Sequence, residues 1–167
     1  MKQFPIILLA SIMSLALLSR RKVEGEGPVL TETGFSGVAI SVPADVVYQQ
    51  ASDYKVELRA QRNILDLIES TVINDELRLR LKQNLNLRSF DKITVYISSP
   101  DIYSLSGSGS GNINVNDSII TNRMRVDINR RGNTNIESLK SADNIETVIS
   151  GSGNITVKKE VVYRKIF

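Results

Sequence analysis

The sequence predicts an all-β chain built as a solenoid of stacked β-coils, and three observations carry that prediction. The first is a repeat: Gly109-Ser110-Gly111-Asn112-Ile113 returns as Gly132-Asn133-Thr134-Asn135-Ile136 and as Gly151-Ser152-Gly153-Asn154-Ile155, so the Asn-Ile pair recurs after 23 and then 19 residues. A fixed period near 20 residues marks architectures in which each unit lies against the one before. The second is strand-type alternation of aliphatic and polar residues on both sides of every Gly/Ser corner. The third is the scarcity of helical spacing, which is confined to Asn63–Glu69.

Taken in order, Phe4–Leu18 is an almost unbroken apolar run behind Met1-Lys2, the size of a signal-peptide h-region and short for a membrane span. Residues 1–22 are therefore read as a signal peptide or an uncleaved N-terminal anchor, and residues 23–167 as a single β domain. Within it, residues 23–100 form an N-terminal β region and residues 101–167 the repeat coils. Val38, Ile40 and Val42 alternate with Gly37, Ala39 and Ser41 before Pro43 breaks the run, which reads as a strand. Val46–Gln50 and Tyr54–Ala60 flank the turn residues Ala51-Ser52-Asp53 and read as an antiparallel hairpin. Asn63 is placed to cap one or two helical turns, with Ile64, Leu67 and Ile68 on one face. Leu77, Leu79 and Leu81 alternate with Arg78, Arg80 and Lys82 as a half-buried strand, Asn84–Arg88 is loop-like, and Ile93, Val95 and Ile97 form a further strand.

From Asp101 each unit reads as strand, corner, strand and return. Ile113, Val115, Val126, Ile128, Ile136, Ile145, Ile149, Ile155 and Val157 are expected to line a narrow interior. Stacking the coils would place Asn112, Asn135 and Asn154 above one another, where side-chain amides bond along the stack. The C-terminal Val161-Val162-Tyr163 and Ile166-Phe167 are apolar with thin charged cover, so the C-terminal edge is expected to pair with a second copy of the chain or to be the cut end of a longer array.

Composition removes several classes of function. Hydrophobic residues make up 41% and charged residues 23%, which excludes disorder, and 5% aromatics with no Trp point to an Ile, Val and Leu core. With neither Cys nor His in the chain, thiolate nucleophiles, disulfides, Ser-His-Asp triads and most zinc sites fall away. The net charge of +3 is dispersed, with no Lys/Arg run interleaved with aromatics, so no nucleic-acid partner is expected. Gly107–Gly111 looks like a phosphate loop, yet a strand follows it and no Lys-Ser/Thr pair is present. A calcium β-roll needs Asp where Asn112, Asn135 and Asn154 stand, and a neutral amide brings no charge. No cofactor or metal site is therefore expected.

The Gly-Ser-Gly-Asn-Ile repeats, preceded by Phe35-Ser36-Gly37-Val38, Asn63-Ile64-Leu65 and Leu77-Arg78-Leu79, resemble the head-GIN domain family of auto-transporter adhesins. The resemblance runs from Val23 to Lys158. It implies a single-stranded right-handed parallel β-helix-like solenoid with a largely antiparallel N-terminal β region continuous with it, found in exported proteins of the periplasm, outer membrane or cell surface. The chain departs from the family pattern at Arg130-Arg131-Gly132-Asn133-Thr134, where a clean Gly/Ser corner is replaced.

Two functional classes follow. The first is a non-enzymatic envelope or surface module that binds a glycan or a protein partner by an extended β face. Its candidate binding residues are Arg123, Arg125, Arg130 and Arg131, the one local concentration of charge able to grip an acidic polymer. The second is a carbohydrate-active enzyme, a polysaccharide lyase or hydrolase, which needs two of Asp127, Glu137, Asp143 and Glu146 paired across a groove. Solvated surface charge accounts for the same four acids without any chemistry.

Overall fold

The computed structural model describes residues 25–82, 92–129 and 131–162. The apolar segment at the N-terminus, the loop at Asn84–Arg88, Arg130, and Tyr163, Ile166 and Phe167 of the C-terminal edge lie outside the described residues. Twelve strands and one helical turn follow in chain order: β1 (Gly25–Leu30), β2 (Gly37–Ile40), β3 (Ala44–Gln50), β4 (Lys55–Ala60), α1 (Arg62–Leu65), β5 (Ile68–Ile73), β6 (Glu76–Leu81), β7 (Ile93–Ser99), β8 (Ser104–Gly107), β9 (Ile113–Ile128), β10 (Asn133–Ile149), β11 (Asn154–Val157) and β12 (Glu160–Val162).

The fold is all-β, but its pairing overturns the right-handed parallel β-helix solenoid. All twelve strands belong to one sheet, which curls into a nearly closed, barrel-like wrap of mixed pairing. Its main path runs β1-β4-β7-β3-β9-β8-β2-β6-β5, and β10, β11 and β12 are added beside β9. The β1–β4, β4–β7 and β5–β6 ladders are antiparallel, whereas β3–β7, β2–β6 and β9–β10 are parallel. The sheet curls because β9 serves two neighbours: Ile113–Val115 pair with β3, and Arg125–Ile128 pair with β8. A strand of 16 residues would run about 50 Å if straight. Here β9 and β10 bend together round the core, with register shifts between Ile136 and Ser138 and between Ser141 and Asn144. Where separate short strands and returns were expected, the chain therefore runs as long bent strands.

Two local expectations are corrected as well. Val46–Gln50 and Tyr54–Ala60 do not form a hairpin, because β7 lies between β3 and β4, parallel to the first and antiparallel to the second. The helical turn starts two residues early, with Gln61 as its N-cap and no side-chain capping bond, so Asn63 lies inside it.

Alternation sets which side chains enter the core. Val95, Val46, Ile113, Thr134 and Ile155 are laterally aligned across five strands, as are Ile97, Tyr48, Val115, Ile136 and Val157. Across the core, Leu77, Val38, Leu105 and Val126 form a matching row. Of the expected interior residues, Ile113, Val115, Val126, Ile128 and Ile136 are buried, while Ile145, Ile155 and Val157 are only partly buried and Ile149 is 48% exposed. The deviation is positional: among the described residues Ile145 and Ile149 pair with β9 on one side, and Ile155 and Val157 with β10 on one side. Tyr48 is buried with its hydroxyl 2.9 Å from Ser99 Oγ, and burial pushes its phenol up to about 12.

Thr134 breaks the aliphatic row. It is fully buried, and its Oγ1 has no hydrogen-bond partner. A buried hydroxyl left unsatisfied costs about 1–3 kcal/mol. Thr134→Val keeps the branched shape and removes the orphan, so chemical denaturation should show a gain of roughly 1 kcal/mol. A loss would mean that the hydroxyl is satisfied in solution.

At the corners the chain is held by a ladder of side-chain oxygens. Asp45 Oδ1 accepts the Asn112 backbone N–H at 3.0 Å, Asn112 Oδ1 accepts that of Asn133 at 3.2 Å, and Asn133 Oδ1 accepts that of Asn154 at 3.2 Å. The last two steps each span 21 residues. The anticipated stack of Asn112, Asn135 and Asn154 bonded amide to amide is thus replaced by a ladder from side-chain oxygen to backbone N–H, with Asn133 as its middle member. Asn135 belongs to a neighbouring row, where its Nδ2 donates to Asn114 Oδ1 at 3.0 Å.

Asp45 also pairs with Lys92 Nζ at 2.8 Å. Burial raises its pKa, yet the bonds from Lys92 and from the Asn112 backbone outweigh that, so the carboxyl sits below the ordinary Asp value of 3.8. Glu57, held by Lys55 at 2.8 Å and Arg59 at 2.6 Å, is likewise below its ordinary 4.5. Both carboxylates stay charged to lower pH in the folded chain than in the unfolded one. Their stabilisation is complete above the ordinary values and is lost as pH falls through the lowered folded ones. Urea midpoints should therefore drop between neutral pH and about pH 3, and Asp45→Asn, which keeps the acceptor oxygen, should flatten part of that fall. An unchanged slope in Asp45→Asn would show that Asp45 is not one of the groups responsible.

Candidate functional site

The sequence-predicted arginines separate into two places. Arg123 and Arg125 lie on the outer face of β9, alternating with buried Met124 and Val126, whereas Arg131 follows the end of that strand. Arg123 and Arg125 line a groove of about 390 Å³ together with Tyr103, Ser104, Met124, Asp143, Asn144 and Glu146. Two of the four acids considered for catalysis, Asp143 and Glu146, are thus brought to one groove. The other two are not: Asp127 pairs with Arg125 at 3.4 Å, and Glu137 pairs with Lys158 at 2.7 Å.

Pairing fixes the electrostatics. Arg125 Nη1 is 2.7 Å from Glu146, which raises the guanidinium pKa further and leaves that carboxylate engaged. The Arg123 guanidinium stands 5.6 Å from the centre of the Tyr103 ring, a cation–π distance that orients both groups over the groove.

A second depression of about 500 Å³ lies alongside, lined by Asp101, Ile120, Thr121, Asn122, Lys140 and Ala142. Residues 120–125 of β9 and 140–146 of β10 run side by side, so the two hollows form one shallow track. Its cations, Arg123, Arg125 and Lys140, are matched in number by Asp101, Asp143 and Glu146. Ile120, 62% exposed, supplies an apolar shelf, and the Gln50 side chain fixes the strand beneath: its Nε2 donates to Ile120 O at 2.9 Å, and its Oε1 accepts from Ile120 N at 2.7 Å.

The sequence reading missed Tyr103, Asn144 and the Ile120 shelf. A usable signal was present, since Ser104, Arg125 and Glu146 stand at equal spacings in the chain and pair laterally in β8, β9 and β10. Among the described residues no group of three or more metal-binding side chains occurs, and no helix is long and apolar enough to cross a membrane.

The chain is, by its fold, an all-β protein built on one curled, nearly closed sheet. More narrowly, it belongs to the family described as "Putative auto-transporter adhesin, head GIN domain", whose model matches residues 34–162. The head-GIN resemblance carried by the Gly-Ser-Gly-Asn-Ile repeats therefore holds. Similar solved structures include a "putative adhesin" from Parabacteroides merdae ATCC 43184, at 18% identity and a TM-score of 0.74, over 81% of this chain and 56% of that one. A "putative adhesin" from Parabacteroides distasonis ATCC 8503 is 20% identical with a TM-score of 0.65, over 83% of this chain and 68% of that one. A "Putative lipid binding protein" from the same organism is 18% identical with a TM-score of 0.61, over 81% and 58%. At these identities the likeness shows the fold alone, and the chain spans little more than half of the first of these relatives. No curated protein matches the chain.

Proposed function

We propose that this chain is a non-enzymatic, exported surface module that binds a glycan along the track between Ile120 and Glu146. The observation that carries the reading is the matching of charge. An acidic glycan would need surplus cations, and the track has none: Arg125 is already paired with Glu146, and Lys140 and Arg123 share the surface with Asp101 and Asp143. An uncharged saccharide needs what is present, namely planar amides and carboxylates as hydrogen-bond partners and apolar surface from Tyr103 and Ile120. Membership of an adhesin family supports the binding role and the location at the surface.

A glycan array probed with the folded domain tests this directly. Neutral glycans should be retained with little dependence on salt, and Tyr103→Ala or Asn144→Ala should weaken retention by about tenfold. Binding restricted to sulfated or uronic-acid glycans would replace this reading with the acidic-polymer one. Cleavage of a retained glycan, abolished by Asp143→Asn, would move the protein to the enzyme class.

A further inference from the structure

The oxygen ladder has a direction, and it ends on an unused acceptor. Asp45, Asn112 and Asn133 each give Oδ1 to the backbone N–H of the next corner, while Asn154, the last member, donates its own N–H and has no partner for its side chain among the described residues. Among the described residues its strand, β11, is hydrogen-bonded to β10 alone, and no described strand pairs with the other edge of β11. Ile155 and Val157 beside it are only partly buried, although the residues aligned with them in β9, Ile113 and Val115, are buried.

The same edge prescribes what would fit it. Within the stack the corner residue before each Asn is glycine, and a Cβ built on Gly132 would lie 2.6 Å from Gly111 O. A Cβ on Gly153 would collide in the same way with Gly132 O. Each added strand must therefore bring glycine to the carbonyl of the corner below. An incoming strand is held to three conditions: glycine over Gly153, a backbone N–H on Asn154 Oδ1 in the next residue, and apolar side chains over Ile155 and Val157.

We propose that the outer edge of β11 is a binding site for an extended polypeptide strand that adds parallel to it and carries a Gly-Asn-Ile-x-apolar sequence. The occupant follows from continuity with the β9–β10–β11 stack, which repeats the same glycine contact and the same side-chain acceptor at each step. This site is separate from the glycan track and stands independently of it.

The probe is a synthetic peptide repeating Ser150–Val157, titrated into the folded chain and followed by backbone amide NMR. Saturable shifts confined to Asn154–Val157 are expected. The same peptide with G153A should produce none, because its methyl meets a backbone carbonyl. In the protein, Asn154→Ala should weaken the peptide by about two- to tenfold, the worth of one hydrogen bond, without lowering the urea midpoint. Asn133→Ala is the structural control, since it breaks a bond inside the fold and should lower that midpoint. Absence of saturable shifts at Asn154–Val157 with millimolar peptide overturns the proposal, and so do equal shifts from both peptides. A concentration-dependent dimer that protects these amides from exchange also overturns it, by assigning the edge to a second copy of the chain.

Discussion

Gly111→Ala should cost this fold about 3 kcal/mol or more, the upper end for forcing extra volume into a packed interior. The new methyl would be driven into the carbonyl of Ala44, and the obstacle is main chain on both sides. Neither strand can move without releasing the rest of the β3–β9 ladder, including the bond from the Asn112 backbone to Asp45. Gly107→Ala is the matching control. There the methyl would meet Ile113 Cδ1 at 3.4 Å and Ile128 Cδ1 at 3.5 Å, the adjustable ends of two side chains, and the backbone carries no positive φ. Its stability should be unchanged or raised by up to about 1 kcal/mol through the less flexible unfolded chain. Urea unfolding of the two variants separates the cases, and a Gly111→Ala protein within 1 kcal/mol of the parent, the size of an ordinary surface effect at roughly that level, would show that the corner is looser than the geometry requires.

Ile128→Ala should be the costliest truncation in the core, at about 4 kcal/mol, because the cost of losing buried methyl groups grows with the cavity left behind. Ile128 is 2% exposed and borders a void of about 10 Å³ shared with Ile40, Val42 and the glycines of the corners. Glycine neighbours have no side chains that can swing in to fill the space, so the void would enlarge rather than collapse. Ile113→Ala should fall in the same broad range of roughly 2–5 kcal/mol, Ile155→Ala below it, and Ile120→Ala within about 0.5 kcal/mol. A calorimetric or denaturant series that failed to rank Ile128 above Ile155 would contradict the assignment of the core.

Strand positions were legible because alternation depends on neighbours two residues apart. Val38 and Ile40, Leu77 and Leu79, and Ile93, Val95 and Ile97 were read inward, and all are buried. Pairing was not legible, because it depends on contacts between distant segments. Nothing local to Ala51-Ser52-Asp53 shows that β7 will insert between the strands on either side. The repeat was visible, yet aligning it on Asn-Ile hid the constant 21-residue offset of Asn112, Asn133 and Asn154. Thr134 is the cause of that misreading. It occupies the inward place that Ile113 and Ile155 hold, so the apolar signature slips by two residues in the middle repeat. At the candidate site, the arginine concentration located Arg123 and Arg125, but charge in a sequence carries no sign of its partner, and Glu146 cancels Arg125 from 21 residues away.

The seam between β3 and β9 also sets how fast the chain can fold. The Asp45–Asn112 bond closes a separation of 67 residues, and β9 has to find β3 with one end and β8 with the other. Neither half of that strand is secured until the chain between them has been gathered, so most of the loop entropy is spent before the ladder returns any energy. Folding on the scale of milliseconds to seconds is the expected consequence. The β9–β10 and β10–β11 ladders each join residues about 21 apart, so the seam at Asp45 is the long-range step among the Gly-Asn corners.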